Sequence, residues 1–482
     1  MRTAILILTL LISAPFQANA QNRTGEGEVR QLYDNNCSGC HGENLAGGSG
    51  ASLIDDEWIH GSDDEAVAAS IRNGIPDTEM PAWAGTLNEK QIRSMVIFLR
   101  EMKAKTRQGQ LLSDLEGEVV SAAGHSYTLE EVGRGEGLLW SIAFTPDSAM
   151  LVTQRDGVLW RFEDGQRTEI EGIPEVWQRG QGGLFEVAFH PDYADNGWIY
   201  LSYSEHTGAQ ERGKDAGMTR VVRGKIVDGR WSEQETLFKV DEAHHTSAGA
   251  HFGSRFVFDD GYLFFGIGDR GRMERAQELD RPNGKIYRIH DNGRVPTDNP
   301  FVDREGALPE IWSYGHRNPQ GLDMDPSTGL LWESEHGPRG GDEINLVEKG
   351  RNYGWPVITY GMNYNGTPMT DETHREGLEQ PKLYWVPSIA VAGIDFYEGD
   401  AFPGWTGKLL VGGMASQELH LLAIEDGKVT ADDIILKGRG RVRDVASGPD
   451  GFIYLLLNDG SPRTGRVVRM IPAQATVPVR AR

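Results

Sequence analysis

Cys37-Ser38-Gly39-Cys40-His41 sets two thiols three positions apart with an imidazole directly behind them. That C-x-x-C-H spacing suits covalent attachment of a c-type haem, the thiols forming thioethers to the vinyl groups and His41 becoming an axial iron ligand. A zinc site would need further Cys or His at metal spacing, and the chain holds only 2 cysteines. The second axial ligand must come from elsewhere. Met80, in Glu79-Met80-Pro81-Ala82-Trp83, is the candidate, because Pro81 keeps it off a helix interior and lets its thioether cross a loop. Met95 competes, but it shares a helical face with Ile92, Val96 and Leu99, the spacing of a core residue.

Later in the chain, chemistry-bearing residues gather between turn-formers. His244, His245 and His251 fall within eight positions, and Gly315-His316-Arg317-Asn318-Pro319-Gln320-Gly321 sets a cation and an amide among glycines. Arg439, Arg441 and Arg443 are concentrated in one short stretch of an acidic protein. Together they describe an Arg-rich pocket suited to a multiply anionic ligand. The carbonyls and carboxylates of Gly337-Pro338-Arg339-Gly340-Gly341-Asp342-Glu343 suit a hard cation such as calcium.

The surrounding elements must position these groups. Residues 1–20 read as a secretory signal peptide, with Arg2, the apolar run Ala4–Ile12 and Ala18-Asn19-Ala20 before Gln21. A periplasmic or secreted protein follows, and c-type haem is attached after export. No later segment is apolar enough to span a membrane. The net charge of −23 argues against nucleic acid or an anionic membrane as the main partner.

Residues 21–102 read as a small all-α domain: Val29, Leu32 and Tyr33 make one helical face, and Asn88 with Gln91 opens a second helix with a capping box. Residues 103–130 carry no strong pattern and read as a linker, and 473–482 as a tail. From 131 to 472 a strand–turn–strand unit, such as Ile142-Ala143-Phe144-Thr145-Pro146-Asp147 before Met150-Leu151-Val152, recurs six times, 45 to 72 residues apart. Repeats near this period predict an all-β six-bladed propeller, whose radial order gathers distant loops on one axial face.

Residues 21–102 resemble the class I cytochrome c family, in which Met/His ligation implies an electron carrier. From about residue 135 to 472 the chain resembles the soluble quinoprotein glucose dehydrogenase and aldose sugar dehydrogenase family, six-bladed propellers that bind pyrroloquinoline quinone (PQQ). The matching stretches are Gly180-Gln181-Gly182-Gly183-Leu184, Ala188-Phe189-His190-Pro191-Asp192, His251-Phe252-Gly253-Ser254-Arg255, Gly315 to Gly321, Gly337-Pro338, Asp342-Glu343-Ile344-Asn345, Asn352-Tyr353-Gly354-Trp355-Pro356 and Arg441-Val442-Arg443-Asp444-Val445.

The resemblance implies His251 as general base and Gln181, Arg317, Asn318, Arg441 and Arg443 around PQQ. It further implies Gly337 and Pro338 carbonyls on a calcium at PQQ, and Glu343 with the Tyr353 carbonyl on a structural calcium. The implied activity is oxidation of an aldose at C1 to the lactone, electrons passing singly to haem c and on to a cytochrome or oxidase. Three positions depart from some relatives: Ala415 replaces a cofactor-contacting lysine, Ser388 a threonine, and Ala250 an acid before the catalytic histidine. Other classes stay open. The propeller could be a non-catalytic sugar- or protein-binding module, a calcium lactonase would leave the haem unexplained, and a haem d1 reductase would need eight blades and a second haem.

Overall fold

The computed structural model describes residues 27–473, apart from 43, 49, 56–57, 77, 79, 108–117, 164 and 460–463. The signal peptide, the middle of the linker and positions 474–482 of the tail lie outside the described residues.

The N-terminal domain is all-α. Its helices are α1 (Gly27–Asn36), the single turn α2 (Ser38–His41), α3 (Asp64–Asn73) and α4 (Glu89–Arg107). Asp63 caps α3 by accepting from Ala66 N at 2.9 Å, which satisfies one of the helix's free first-turn donors. Asn88 and Gln91 form the reciprocal capping box at α4, with bonds of 2.9 and 3.0 Å. Val29 and Tyr33 of α1, Val67 and Ile71 of α3, and Ile92, Met95, Val96 and Leu99 of α4 bury one apolar cluster. The periodic faces read from sequence are the faces that are buried.

Six four-stranded antiparallel sheets follow, with one outer strand added to the last. Their innermost strands are Leu139–Phe144, Leu184–Phe189, Phe256–Asp259, Pro319–Met324, Val391–Phe396 and Arg441–Ser447. Each packs against the next, and the sixth against the first, so the ring closes. A closed ring leaves no central edge strand free to pair with another chain.

Closure corrects the expected boundaries. The last blade takes its fourth strand, His125–Arg134, from before the first blade, pairing it along Gly465–Pro472, with Val120–Ala122 outside it. Tyr127 and Leu129 are buried in that blade's core. A domain start at residue 131 therefore cuts through the closing strand. At the other end of the expected linker, α4 continues to Arg107. The stretch looked patternless because its strand is half-exposed and its apolar residues are few.

Candidate functional site

Inner strands that start together at the axis bring together residues far apart in sequence. Trp140, Phe185, Gln320, Arg441 and Arg443 from four blades, with Gln181, Phe252, Asn318 and His336 from loops, line a cavity of about 410 Å³. Arg155, from the hairpin after Met150–Gln154, also faces it.

The cavity is strongly cationic. Arg443 is enclosed and donates to Gln320 Oε1 at 3.1 Å; burial, then Arg255, Arg441 and Arg155, push its guanidinium down to about 9. Arg255, behind the cavity, is committed elsewhere. It pairs with Glu186 at 2.8 Å and Asp444 at 2.9 Å and lies over the Trp140 ring. His336, held well down to about 3 by burial and then Arg317 and Arg443, leaves a buried Nε2 without a hydrogen-bond partner. Packed cations fit a ligand that brings carboxylates, as PQQ does.

His251 sits at φ +56°, with its backbone N–H donated to Gln181 Oε1 at 2.8 Å, which ties it to a cavity residue. Its Nδ1 lies 2.6 Å from Asp269 Oδ1. Asp269 is fixed in turn by the Gly271 N–H at 2.7 Å and the Trp355 indole N–H at 2.8 Å. Burial works to raise the Asp269 carboxyl, but the His251 hydrogen bond and the charges of His251 and Arg317 outweigh it and hold the group below its ordinary value. An ionised Asp269 keeps the proton on Nδ1, leaving Nε2 as the basic nitrogen. Burial, then the Arg317 charge, holds the His251 imidazole below its ordinary 6.5 against the pull of Asp269. It is therefore neutral at neutral pH.

The His251 loop is clamped from below. Arg270 is fully buried over the Phe252 ring and donates to the carbonyls of Ala248 at 2.7 Å and of Ala250.

Arg317 stands beside the cavity. Its Nη1 donates to the His336 carbonyl at 2.8 Å, and its ring neighbour is Trp355 at 5.2 Å. Gly337 N–H donates to Asp342 Oδ1 at 3.0 Å, and a Cβ at Gly337 would meet Gly341 O at 2.0 Å, so the loop folds tightly on itself. The Pro338 carbonyl accepts from Ser388 Oγ at 3.3 Å, which gives Ser388 a place in the same loop.

Glu343 belongs to a larger acidic cluster than expected. Antiparallel pairing sets Glu335 opposite Glu343 and Glu333 opposite Asn345. His316 Nδ1 lies 3.7 Å from Glu335 Oε1 and 3.9 Å from Glu333 Oε2, and the Tyr353 ring stacks on His316 at 4.5 Å. Burial, then the Glu335 charge, pushes Glu333 and Glu343 well above the carboxylate range. His316 Nδ1, Glu333 Oε1 and Asn345 Oδ1 are buried without hydrogen-bond partners. Uncompensated carboxylates and orphaned ligand atoms fit a hard cation such as calcium.

The residues expected to hold haem lie in the α domain. Cys37 and Cys40 are free thiols, Cys37 between α1 and α2 and Cys40 within α2. His41 Nδ1 is 2.8 Å from the Ala51 carbonyl, which leaves Nε2 for iron. Met80 lies outside any helix on the rim of the apolar cluster, whereas Met95 is inside it. Trp58 and Trp83, on the same rim, have buried indole N–H groups without acceptors among the described residues, which fits a haem with its propionates.

His244 and His245 do not reach the cavity: His244 faces Arg281, and His245 is buried with Nε2 3.3 Å from the Val240 carbonyl. Sequence reasoning missed Asp269, Arg155 and Glu333. Only Asp269 left a signal, a short carboxylate among Gly266-Ile267-Gly268-Asp269-Arg270-Gly271 after an apolar strand.

Residues 138–469 match the family Glucose / Sorbosone dehydrogenase, and residues 26–99 match Cytochrome C oxidase, cbb3-type, subunit III. The chain is 43% identical over 342 residues to the aldose sugar dehydrogenase of Escherichia coli, covering 69% of this chain and 90% of that one. It is 28% identical over 414 residues to quinoprotein glucose dehydrogenase B of Acinetobacter calcoaceticus, covering 69% of this chain and 84% of that protein. The crystal structure of the soluble Escherichia coli aldose sugar dehydrogenase in its apo-form superposes with a TM-score of 0.68 at 41% identity, over 72% of this chain and all of that one.

Proposed function

The chain belongs to the glucose/sorbosone dehydrogenase family and carries a cbb3-type cytochrome c domain at its N-terminus; from that premise we propose that it is an exported, PQQ- and calcium-dependent aldose dehydrogenase with its own haem acceptor. The substrate is an aldose, oxidised at C1 to the lactone. The observation that carries the reading is the Asp269–His251–Gln181 arrangement, which Gln181 joins to the lining of the Arg-rich cavity.

Arg317, Arg441 and Arg443, with Gln181 and Asn318, would hold the carboxylates and carbonyls of PQQ. The Gly337 and Pro338 carbonyls would hold the calcium beside it, and Glu343 with the Tyr353 carbonyl the structural calcium, joined by Glu333 and Glu335. Bound PQQ would supply the hydride acceptor, with calcium polarising its quinone. His251 Nε2 takes the proton from the C1 hydroxyl, and Asp269 holds the ring in the tautomer that allows it. Trp140, Phe185 and Phe252 form a buried apolar cluster along the cavity wall, which would limit water there. In the α domain, Cys37 and Cys40 would hold haem covalently, with His41 and Met80 on iron. Each electron would leave for an external cytochrome or oxidase.

Purified protein loaded with PQQ and calcium should show sugar-dependent reduction of its haem and of an artificial dye across a panel of aldoses. His251→Gln should retain both ligands and lose at least ~10²-fold in turnover, the low end for losing a positioned base. If His251→Gln turns over normally, the base is misassigned.

A further inference from the structure

Helix α4 has two working faces. Ile92, Met95, Val96 and Leu99 face the core of its own domain, while Lys90, Arg93, Ile97 and Glu101, spaced as one helical stripe, meet the propeller. Ile97 and Glu101 meet the Gly337–Glu343 loop, on which the reading above places the metal at the quinone, while Lys90 and Arg93 meet the 370–371 segment.

Arg339 and Met362 anchor that surface. The Arg339 N–H donates to the Met362 carbonyl at 3.0 Å and the Met362 N–H to the Arg339 carbonyl at 2.9 Å, tying two propeller segments into a small ladder. From it the Met362 side chain, 1% exposed, joins the haem domain's apolar cluster. The Arg339 guanidinium grips the Glu101 carboxylate, Nε donating at 2.8 Å, with Nη2 bonded as well. Both side chains are largely buried. Between them Ile97 covers Gly340, which has φ +82° and where a Cβ would come within 3.3 Å of Ile97 Cγ2. At the rim Lys90 lies 3.2 Å from Asp371, and Arg93 donates to the Thr370 carbonyl.

We propose that this seat is a fixed dock for electron transfer between the two cofactor domains, with Glu101 and Arg339 as its positioning residues. The proposal rests on the sugar-oxidising reading. Oxidation of C1 releases two electrons and two protons. The electrons pass one at a time to ferric haem iron, an external one-electron acceptor returns the iron to the ferric state after each, and the protons go to solvent. A bidentate, desolvated charge pair flanked by Met362 and Ile97 fixes orientation as well as contact. A domain held only by its linker would reach the loop in many orientations, few of them productive.

The test uses the full-length holoprotein. Glu101→Arg sets like charges face to face, which opposes docking. It should raise the maximum dimension seen by small-angle X-ray scattering and slow sugar-driven haem reduction at least ~10-fold, with dye-linked sugar oxidation unchanged. Glu101→Arg combined with Arg339→Glu should restore both the compact shape and the haem reduction rate. Glu101→Gln, a smaller change, should show the same direction of effect with an unaltered haem spectrum. Wild-type shape and haem reduction in Glu101→Arg would overturn the dock. Expansion without slower haem reduction would overturn its role in transfer. If wild-type protein oxidises no sugar with either acceptor, the function itself fails, and scattering still reports whether the seat holds.

Discussion

The two cofactor domains of this chain assemble their sites in opposite ways. The α domain carries its C-x-x-C-H haem motif in five consecutive residues, Cys37 to His41, on one short turn. The propeller draws its cavity from Gln181 through Arg443, on segments that meet only when the ring closes. The first set is local, so a small fold can hold it. The second crowds Arg155, Arg441 and Arg443 together against their mutual repulsion, and needs the scaffold to hold them there.

The largest expected effect tests that dependence on closure. A chain beginning at residue 131 loses most of the strand that completes the last blade, including Tyr127 and Leu129, each worth ~1.5–3 kcal/mol of burial. It should lack a cooperative thermal transition and any dye-linked activity. A chain beginning at residue 118 should keep both. Equal behaviour of the two would mean the ring closes without its N-terminal strand.

Next comes the orienting pair. Asp269→Asn should lower turnover by ~10²-fold with PQQ loading intact, because Nδ1 loses the acceptor that sets the tautomer. In the parent protein the neutral base is present above its pKa and lost as pH falls through it. Since burial and Arg317 hold His251 below 6.5, the acid limb of kcat/KM should lie below that value. An acid limb above it would show that Asp269 dominates the ring.

Arg443→Leu should weaken PQQ loading by ~10-fold, one charge-assisted contact being worth roughly 1.5–3 kcal/mol before the relief of cation crowding. Equilibrium titration of the apoprotein, read by PQQ absorbance, measures it. Unchanged affinity would place the carboxylates on other arginines.

The smallest effect belongs to the local site. Met80→Ala should leave haem attached and lower its reduction potential, since a thioether that favours ferrous iron is gone. An unchanged potential would move the ligand elsewhere.

The haem motif, the capping box of α4 and the repeated strand units were legible because each is a short-range pattern. A C-x-x-C-H run, an Asn88–Gln91 exchange and a period-two strand are complete within a few residues. The site histidine and arginines were reached through resemblance, which carried their order along the chain. Asp269 was not, because nothing beside it in sequence shows that a histidine lies 2.6 Å away.

Sequence alone determined the chemistry available: two thiols and an imidazole for haem, arginines for an anion, and carboxylates for a cation. Tertiary structure decided which of them meet. It set Asp269 and Gln181 beside His251 rather than beside His244 or His245, gathered Glu333, Glu335 and His316 near Glu343, and turned one face of α4 toward the Gly337–Glu343 loop. The physical reason is range. Backbone propensity and side-chain periodicity act over a turn or a strand, whereas desolvation, charge crowding and ring closure act between segments hundreds of residues apart and exist only once the chain is packed.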